Sequence, residues 1–339
     1  MNITTTSLEK THIPVMLDEV IQSCLLTNKD QLIVDCTFGG GGYSKALLKF
    51  SNIKVIALDR DKSVIKRAKN LEKDFPKNFF FYNEKFSNLD RVIKKVNKPD
   101  VIIFDLGLST FQLQDFSRGF SFKSNEKIDM QMGLSNASAA DAINTLEEKK
   151  LKLIIKILGE EQEAGRIAKN IIRARVLKKI NTVTELVRII EASKRKNYNK
   201  KINVCTKTFQ ALRIFVNKET TELIEGLIKA SQLIKHGGKI IVISFHSIED
   251  KIIKYYFTNY SSNKSNPSRY LPIESNQKNS FFEKYKNKFL TPSANELIKN
   301  PASRSAKLRE AVRTDQEFIF PKEFKEKFKK YIEIEDDTV

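Results

Sequence analysis

Four consecutive glycines, Gly39 to Gly42, end the first long apolar run of the chain in the stretch LIVDCTFGGGGYSKALL at residues 32–48. The 339 residues include only 12 glycines, so a third of them stand in one turn. Glycine loses more backbone entropy on folding than any other residue, so this run indicates dihedral angles or a close approach that a side chain would block. A strand, a glycine-rich turn and a helix in this order predict a ligand site at a helix N-terminus. A tight turn without a ligand is the alternative.

Short apolar runs alternate with helical patterns over the first third of the chain. The candidate strands lie at 32–38, 54–61, 79–86 and 101–107, and helical spacing is found at 43–50 and 62–75. Strand, helix and strand in alternation predict an α/β fold with a mostly parallel, doubly wound sheet of the Rossmann-like kind. In such a sheet, ligands bind beyond the carboxyl ends of the strands.

The middle of the chain has a helical pattern that interrupts this alternation. Strand signals fade between about 113 and 204, where Thr182 or Thr184 is a candidate helix cap with Glu185 completing a capping box. A long helical pattern at 208–234 breaks near Asn217, and strands return at 236–247 and 305–314. Residues 258–302 are predicted to form a loose loop, and the charged tail is predicted to fray. The predicted units are a core at 1–112, a helical insertion at 113–207, the resumed core at 208–314 and a tail at 315–339.

The charge of the chain points to a polyanionic partner. Sixty Lys and Arg against 41 Asp and Glu give a net charge of +19, which favours nucleic acid, although a Lys-rich proteome is the alternative. Cys24, Cys36 and Cys205 form no CxxC pair, so neither a disulfide framework nor a metal site is expected. We find no apolar run long enough for a signal peptide or a membrane span, and we expect a cytoplasmic protein.

Two acidic residues at strand ends suggest which ligand the turn binds. Asp59 lies about 18 residues beyond the glycines, where a carboxylate accepts both hydroxyls of a ribose; a helix cap is the alternative, a role that Asp61 also fits. NAD-dependent enzymes and S-adenosylmethionine (SAM) methyltransferases share this arrangement. Two features favour SAM over NAD. The glycines do not match the GxGxxG motif, because Ser44 stands three residues after Gly41 where the motif has its last glycine. The fourth strand also ends in DLGLST, with Asp105 before a polar loop.

Eight motifs in sequence order resemble one known family. They are HIPVMLDEV, DCTFGGGGYS, ALDRD, DLGLST with QLQD and RGFSF, DMQM, KTFQALRIFVN, GGKIIVISFHSIED and NPASRSAKLR. Together, over residues 12–313, they resemble the bacterial small-subunit (16S) ribosomal RNA cytosine-N4 methyltransferases of the MraW type. The resemblance implies SAM as cofactor, a decoding-region cytosine as methyl acceptor and the small ribosomal subunit as substrate, with DNA not expected.

The resemblance also implies a set of site residues. The residues that would hold SAM are Gly41, Gly42, Tyr43, Asp59, Phe86, Asp105 and Gln112. Tyr43 stands where the family commonly has His, and Phe111 stands where it commonly has Pro, which leaves the placing of Gln112 open. Without the motif, Phe86 would be interpreted as a core residue; with it, we expect the ring to face adenine.

Methyl transfer to N4 needs alignment and a hydrogen-bond acceptor for the amine. Asp105 is the first candidate for this catalytic role and His246 the second, with a structural role for His246 equally open. Candidate base and RNA contacts are Ser109, Arg118, Phe120, Phe122 and Arg304, although the loop RGFSFKS that carries three of them is equally typical of an anchor. Cys36 is expected to pack, because attack from nitrogen needs no thiolate.

Three basic clusters are candidates for phosphate contacts. They are KRKNYNKK at 194–201, the helical row of Arg166, Lys169 and Arg173, and the set of Arg304, Lys307 and Arg309. Two other functions stay open: a methyltransferase for another nucleic-acid amine or a small molecule, and a non-catalytic assembly factor that binds SAM and RNA. SAM binding by the isolated protein would separate an enzyme from the second of these.

Overall fold

The computed structural model describes residues 14–93, 97–135, 137–195, 203–262 and 280–336, and its centre is a six-stranded sheet. The strands are β1 (Gln31–Asp35), β2 (Ile53–Leu58), β3 (Phe79–Tyr82), β4 (Val101–Asp105), β5 (Lys239–Ser244) and β6 (Lys307–Val312). Their order in the sheet is β3-β2-β1-β4-β5-β6. The first five strands run parallel and β6 is antiparallel to β5, so the predicted α/β class and all four early strands are confirmed.

The sheet order places the carboxyl ends of β1 and β4 next to each other at the switch point of the fold. Asp35 of β1 pairs in register with Ile103, and Asp105 of β4 pairs with Ile243 of β5. A parallel sheet is covered on both faces, which is why its strands are continuous apolar runs rather than alternating ones. The crevice at a switch point is where ligands bind in such sheets.

Helices cover both faces of the sheet and form the middle of the chain. They are α1 (Leu17–Cys24), α2 (Gly42–Leu47), α3 (Ile65–Asp74), α4 (Leu89–Ile93), α5 (Thr110–Gln114), α6 (Ala139–Thr145), α7 (Glu148–Ile157), α8 (Ala164–Leu177), α9 (Val183–Ser193), α10 (Thr206–Asn217), α11 (Glu219–Leu233), α12 (Ser247–Asn259), α13 (Ala294–Lys299) and α14 (Lys322–Asp336). No helix of the described residues is both long and apolar enough to cross a membrane.

Helices α6 to α9 follow β4 in the sequence and pack on one another, as the helical pattern at 113–204 predicted. Helix α10, which precedes α11 and β5, packs against α6 and α7. Thr182 is the cap of α9: its hydroxyl accepts the N–H of Glu185, and the Glu185 carboxylate accepts the N–H of Thr182 at 3.0 Å. Thr184 instead bonds Asn125. The break after Asn217 is also confirmed, because Lys218 adopts a left-handed conformation with φ 51° between α10 and α11.

The C-terminal segment corrects two of the sequence predictions. The tail forms α14 rather than fraying, because Phe324 and Phe328, four residues apart, lie fully buried against the protein. The charged residues between them hide this apolar face in the sequence. The region predicted as a loose loop also packs in part, since Phe281 and Phe282 are fully buried; residues 263–279 lie outside the described part.

Candidate active site

The glycine turn has both properties that its sequence suggested. Gly41 precedes α2 in a left-handed conformation with φ 76°, and a Cβ there would approach Cζ of Phe38 to 2.7 Å. A Cβ on Gly42 would approach Cγ of Pro14 to 2.0 Å, so the turn must be bare to pack against Phe38 and the N-terminal segment. The turn borders a cavity of about 310 Å³ at the carboxyl edge of the sheet.

The cavity brings together most of the residues that the motifs suggested for a cofactor. The predicted residues that line it are Gly42, Tyr43, Asp59, Phe86, Asp105, Ser109 and Gln112. They arrive on the ends of four neighbouring strands, in the order β3, β2, β1 and β4. Gly41 does not line the cavity itself, and its contribution is the conformation of the turn.

Asp59 ties the end of β2 to the glycine turn. Its Oδ2 accepts the N–H of Gly39 at 2.7 Å, and its Oδ1 accepts the N–H of Asp61 at 2.8 Å. Burial raises the pKa of Asp59 to about 6, despite these hydrogen bonds. Each carboxylate oxygen has a further lone pair, so both can still accept hydroxyl groups from a ligand.

Phe86 stands on a short 3₁₀ turn, Phe86–Asn88, just after β3. Its ring meets Phe104 of β4 edge-on, with centroids 5.4 Å apart. Gly226 of α11 lies behind the ring, where a Cβ would approach Cδ2 of Phe86 to 2.6 Å. The ring is therefore fixed from behind while its residue lines the cavity.

Gln112 is held by a network that does not depend on a proline before it. Ser109 and Gln112 form a capping box at α5, and Nε2 of Gln112 donates to Asp61 at 2.7 Å. Phe111 lies under the guanidinium of Arg67, 3.7 Å from the ring centroid. Asp61 also caps the turn after β2 by accepting from Ser63, as the sequence suggested.

Two buried carboxyl groups meet where β1 and β4 end. Asp35 accepts a hydrogen bond from the Ser44 hydroxyl at 2.7 Å, and burial raises its pKa to about 6. Burial, followed by the charge of Asp35, raises the pKa of Asp105 to about 8. Oδ1 of Asp105 is shielded from solvent and has no hydrogen-bond partner among the described residues. A buried polar atom of this kind is costly unless a ligand completes it.

Charged residues of α10, α11 and α12 also line the cavity, and no sequence pattern predicted them. Arg213 of α10 donates from Nε and Nη2 to both carboxylate oxygens of Glu219, at 2.8 and 2.9 Å. Glu219 and Glu222 of α11 and Glu249 of α12 also line the cavity. Arg213 and Glu249 lie inside motifs that were noted only for their resemblance, and burial was the property that would have singled them out.

His246 lies next to these charged residues as the cap of α12. Its Nδ1 accepts the N–H of Glu249 at 3.5 Å, and its Nε2 lies 3.0 Å from Oε1 of the same residue. The Glu249 carboxylate also accepts the backbone N–H of Phe245. Burial acts to raise the pKa of Glu249, but the charges of His246 and Arg213 nearby lower it. His246 lines a second cavity rather than the main one, which favours its structural role.

Ligand atoms of Glu219, His246 and Glu249 come within 4.8 Å of one another, a spacing that would suit a metal ion. Both carboxylate oxygens of Glu219 and Nδ1 of His246 already have hydrogen-bond partners within the protein. Nδ1 of His246 accepts an N–H, so the ring proton of the neutral form is on Nε2, and Arg213 holds both oxygens of Glu219. Nε2 of His246, by contrast, is a buried atom without a hydrogen-bond partner among the described residues.

Three residues of the loop RGFSFKS, Arg118, Phe120 and Phe122, make contacts within the protein. Arg118 pairs with Asp61 and donates to the carbonyl of Gln131. Phe120 is buried, and Phe122 packs edge-on against Phe209 of α10. These contacts favour the alternative of an anchor, while contact of the three residues with RNA stays a prediction.

The basic clusters differ in their accessibility. Arg166, Lys169 and Arg173 are exposed along one side of α8. Lys194 is buried and paired with Glu161, whereas 196–201 of the same cluster lie outside the described residues. In the third cluster, Arg304 is exposed and lines the second cavity, while Lys307 and Arg309 pair with Asp250.

Known proteins match this chain over most of its length. The profile of the MraW methylase family matches residues 9–314. The chain is 41% identical over 302 residues to "Ribosomal RNA small subunit methyltransferase H" of Ehrlichia canis, covering 88% of this chain and 98% of that protein. It is 42% identical over 308 residues to the protein of the same name from Bartonella grahamii, covering 91% of each. The chain belongs to the MraW methylase family.

Proposed function

We propose that this protein transfers a methyl group from SAM to N4 of a cytosine in the decoding region of small-subunit (16S) ribosomal RNA. SAM is its cofactor. The observation that carries the proposal is the position of Asp105, which lines the cavity at the end of β4 and whose buried Oδ1 has no hydrogen-bond partner among the described residues. Asp59 and Phe86 lie on one side of it along the sheet edge, and Phe245 and Glu249 lie on the other.

The first side fits the adenosyl part of SAM. A purine suits the face of Phe86, and the two ribose hydroxyls suit the carboxylate of Asp59. The glycine turn leaves room for the methionine part against the backbone of Gly39 and Gly40, which both line the cavity. Gln112 supplies an amide to the same space, so the proposed cofactor residues form one continuous surface.

The second side fits the methyl acceptor. SAM supplies an electrophilic methyl group on a cationic sulfur. The amine N4 of cytosine is a weak nucleophile because its lone pair is delocalised into the ring, so Asp105 must align it and accept an N–H. A nearby positive charge lowers the pKa of a carboxyl group, so the Asp105 carboxyl, which titrates at about 8 alone, ionises when the cofactor is bound.

The RNA substrate is supported by the charge of the chain and by its relatives. Proteins 41% and 42% identical to this chain are named as ribosomal RNA small subunit methyltransferases, and the net charge here is +19. We assign RNA recognition to the helical insertion at 113–207, between the core parts at 1–112 and 208–314. The candidate phosphate contacts are the exposed basic row on α8, in this insertion, and Arg304, in the second core part. The proposed setting is the small ribosomal subunit in the cytoplasm.

Labelled SAM tests this proposal with small ribosomal subunits that lack native methylation. Naked ribosomal RNA, DNA and free cytidine serve as parallel substrates, and the labelled nucleoside is identified by mass. We expect N4-methylcytidine on subunits and its loss in Asp105→Ala. Tight binding to subunits without transfer would instead support a non-catalytic assembly factor, and label on DNA would identify a methyltransferase for another amine.

A further inference from the structure

Helix α14 lies beyond residues 9–314, which the family profile matches, yet it packs against α7, α10 and α11. Phe324 and Phe328 are buried beside Tyr255 and Tyr256 of α12, with the rings of Phe324 and Tyr256 4.4 Å apart at their centroids. The helix is therefore part of the folded core. Its last turn lies against the start of α11.

Glu335 of α14 completes the N-terminus of α11. The first N–H groups of a helix have no partners within it, and Lys218 before α11 gives no side-chain cap. The Glu335 carboxylate accepts the N–H of Thr220 at 3.0 Å, and the N–H and hydroxyl of Thr221 at 2.8 and 2.6 Å. A carboxylate is also the group that the positive end of a helix dipole favours. Glu335 is 1% exposed, so the contact is fully inside the protein.

Two ion pairs fix α14 along the same helix. Asp336 pairs with Lys218 at 2.9 Å, just before α11 begins. Lys325 pairs with Glu225 one turn further along α11. With Glu335 on Thr220 and Thr221, these contacts hold α11 over its first two turns.

Those two turns form the wall of the main cavity. Glu219 and Glu222 line it on either side of the threonines that Glu335 holds. Glu219 also fixes Arg213, and Gly226 lies directly behind the ring of Phe86. A shift of α11 along or away from α14 therefore moves the surface on which we place the adenosyl group.

We propose that α14 holds the first two turns of α11, which line the cofactor cavity, in position. In this proposal Glu335 is a positioning residue for SAM binding that acts through the first turn of α11. The inference rests on the proposed placement of SAM. Glu335 touches neither cofactor nor substrate in this account. Its role is to keep Glu219, Glu222 and Phe86 in the arrangement that binds the cofactor.

Glu335→Gln tests the proposal with little change in shape. The amide retains one acceptor oxygen but turns an NH₂ group towards the threonine donors. We expect the Kd for SAM to rise about tenfold, within the usual range for coupling between two sites, while kcat at saturating SAM stays within about twofold. Amide exchange at Thr220 and Thr221 will become faster. Thr221→Val removes one of the three donors and will weaken SAM binding less than Glu335→Gln does. Thr221→Ser, which keeps the hydroxyl group, will have the SAM affinity of the unchanged protein.

Two matched controls separate positioning from general loosening. Glu333→Gln makes the same chemical change at an exposed site on α14, and we expect no effect on SAM. Ile190→Val in α9 loosens the core far from the cavity. Equal weakening of SAM binding in Ile190→Val and Glu335→Gln, at matched loss of thermal stability, would overturn the proposal.

Unchanged SAM affinity in Glu335→Gln would also overturn it. Asp59→Asn tells which part of the account has then failed. If Asp59→Asn weakens SAM binding, the cofactor placement stands and only the positioning role of Glu335 is refuted. If Asp59→Asn has no effect either, the cofactor placement is refuted as well.

Discussion

Gly226→Ala should weaken SAM binding without breaking the fold, because the added methyl group presses on the ring of Phe86. The new Cβ would lie 2.6 Å from Cδ2 and 3.0 Å from Cε2 of that ring, with Phe104 at 3.3 Å. Carbon atoms prefer a separation of about 3.6 Å, so the Phe86 ring must move by roughly 1 Å. The side open to such a movement is the cavity, where we place adenine.

The expected changes in folding free energy and in the Kd for SAM follow from three contributions. Alanine is about 1 kcal/mol better than glycine in a helix interior, whereas overpacking a core costs about 1–3 kcal/mol. The net loss of folding free energy is therefore about 0–2 kcal/mol, too little to unfold a typical domain. An aromatic contact is worth about 0.5–1.5 kcal/mol, so displacing the ring should raise the Kd for SAM by about 2- to 12-fold.

Isothermal titration with SAM, alongside a thermal melt, measures both quantities. Gly165→Ala is the matched control, since it adds the same methyl group to α8 where the nearest atom, Cε of Lys152, is 3.5 Å away. The control should keep its SAM affinity. A normal Kd in Gly226→Ala, with the protein folded, would refute the placement of adenine against Phe86.

Three further outcomes follow from the structure. The raised pKa of Asp105, about 8 against about 3.9 for an unfolded carboxyl group, means that its contribution to stability is fully present below about pH 4 and is lost as pH rises through 8. Asp105→Asn should flatten this decline in melts of the SAM-free protein between pH 6 and 8, and an unchanged slope would contradict the assignment. Glu161→Ala removes the buried carboxylate that Lys194 contacts and should cost about 3–5 kcal/mol in urea unfolding while SAM affinity stays the same; a loss under 1 kcal/mol would contradict the burial of this pair. Arg304→Ala should weaken subunit binding and reduce the slope of log affinity against log salt by about 1, and an unchanged slope would remove Arg304 from the RNA contacts.

The parts of the fold that the sequence predicted are those with a local physical signal. Buried parallel strands must be continuous apolar runs, so β1 to β4 could be recognised one by one. The glycine turn and the acid after β2 lie close together in the chain, and so do Thr182 and Glu185. Each of these predictions needed only a stretch of about 20 residues or fewer.

The features that the sequence did not reveal depend on burial and on contacts between residues distant in the chain. Arg118 and Phe120 have the composition of an RNA-binding loop, and nothing local shows that Asp61 and the core already hold them. Glu335 meets Thr221 across 114 residues, and no short pattern marks that contact. The sequence of a single chain therefore predicted the cavity residues at the strand ends and missed the charged residues of α10, α11 and α12 that also line the cavity.

A structure of the protein with S-adenosylhomocysteine bound would test the central claim most directly. The account predicts both ribose hydroxyls within about 3.2 Å of the Asp59 carboxylate, adenine against Phe86 and the sulfur facing Asp105. Adenine at the Phe245 end of the cavity, or the ligand in the second cavity beside Arg304, would contradict it.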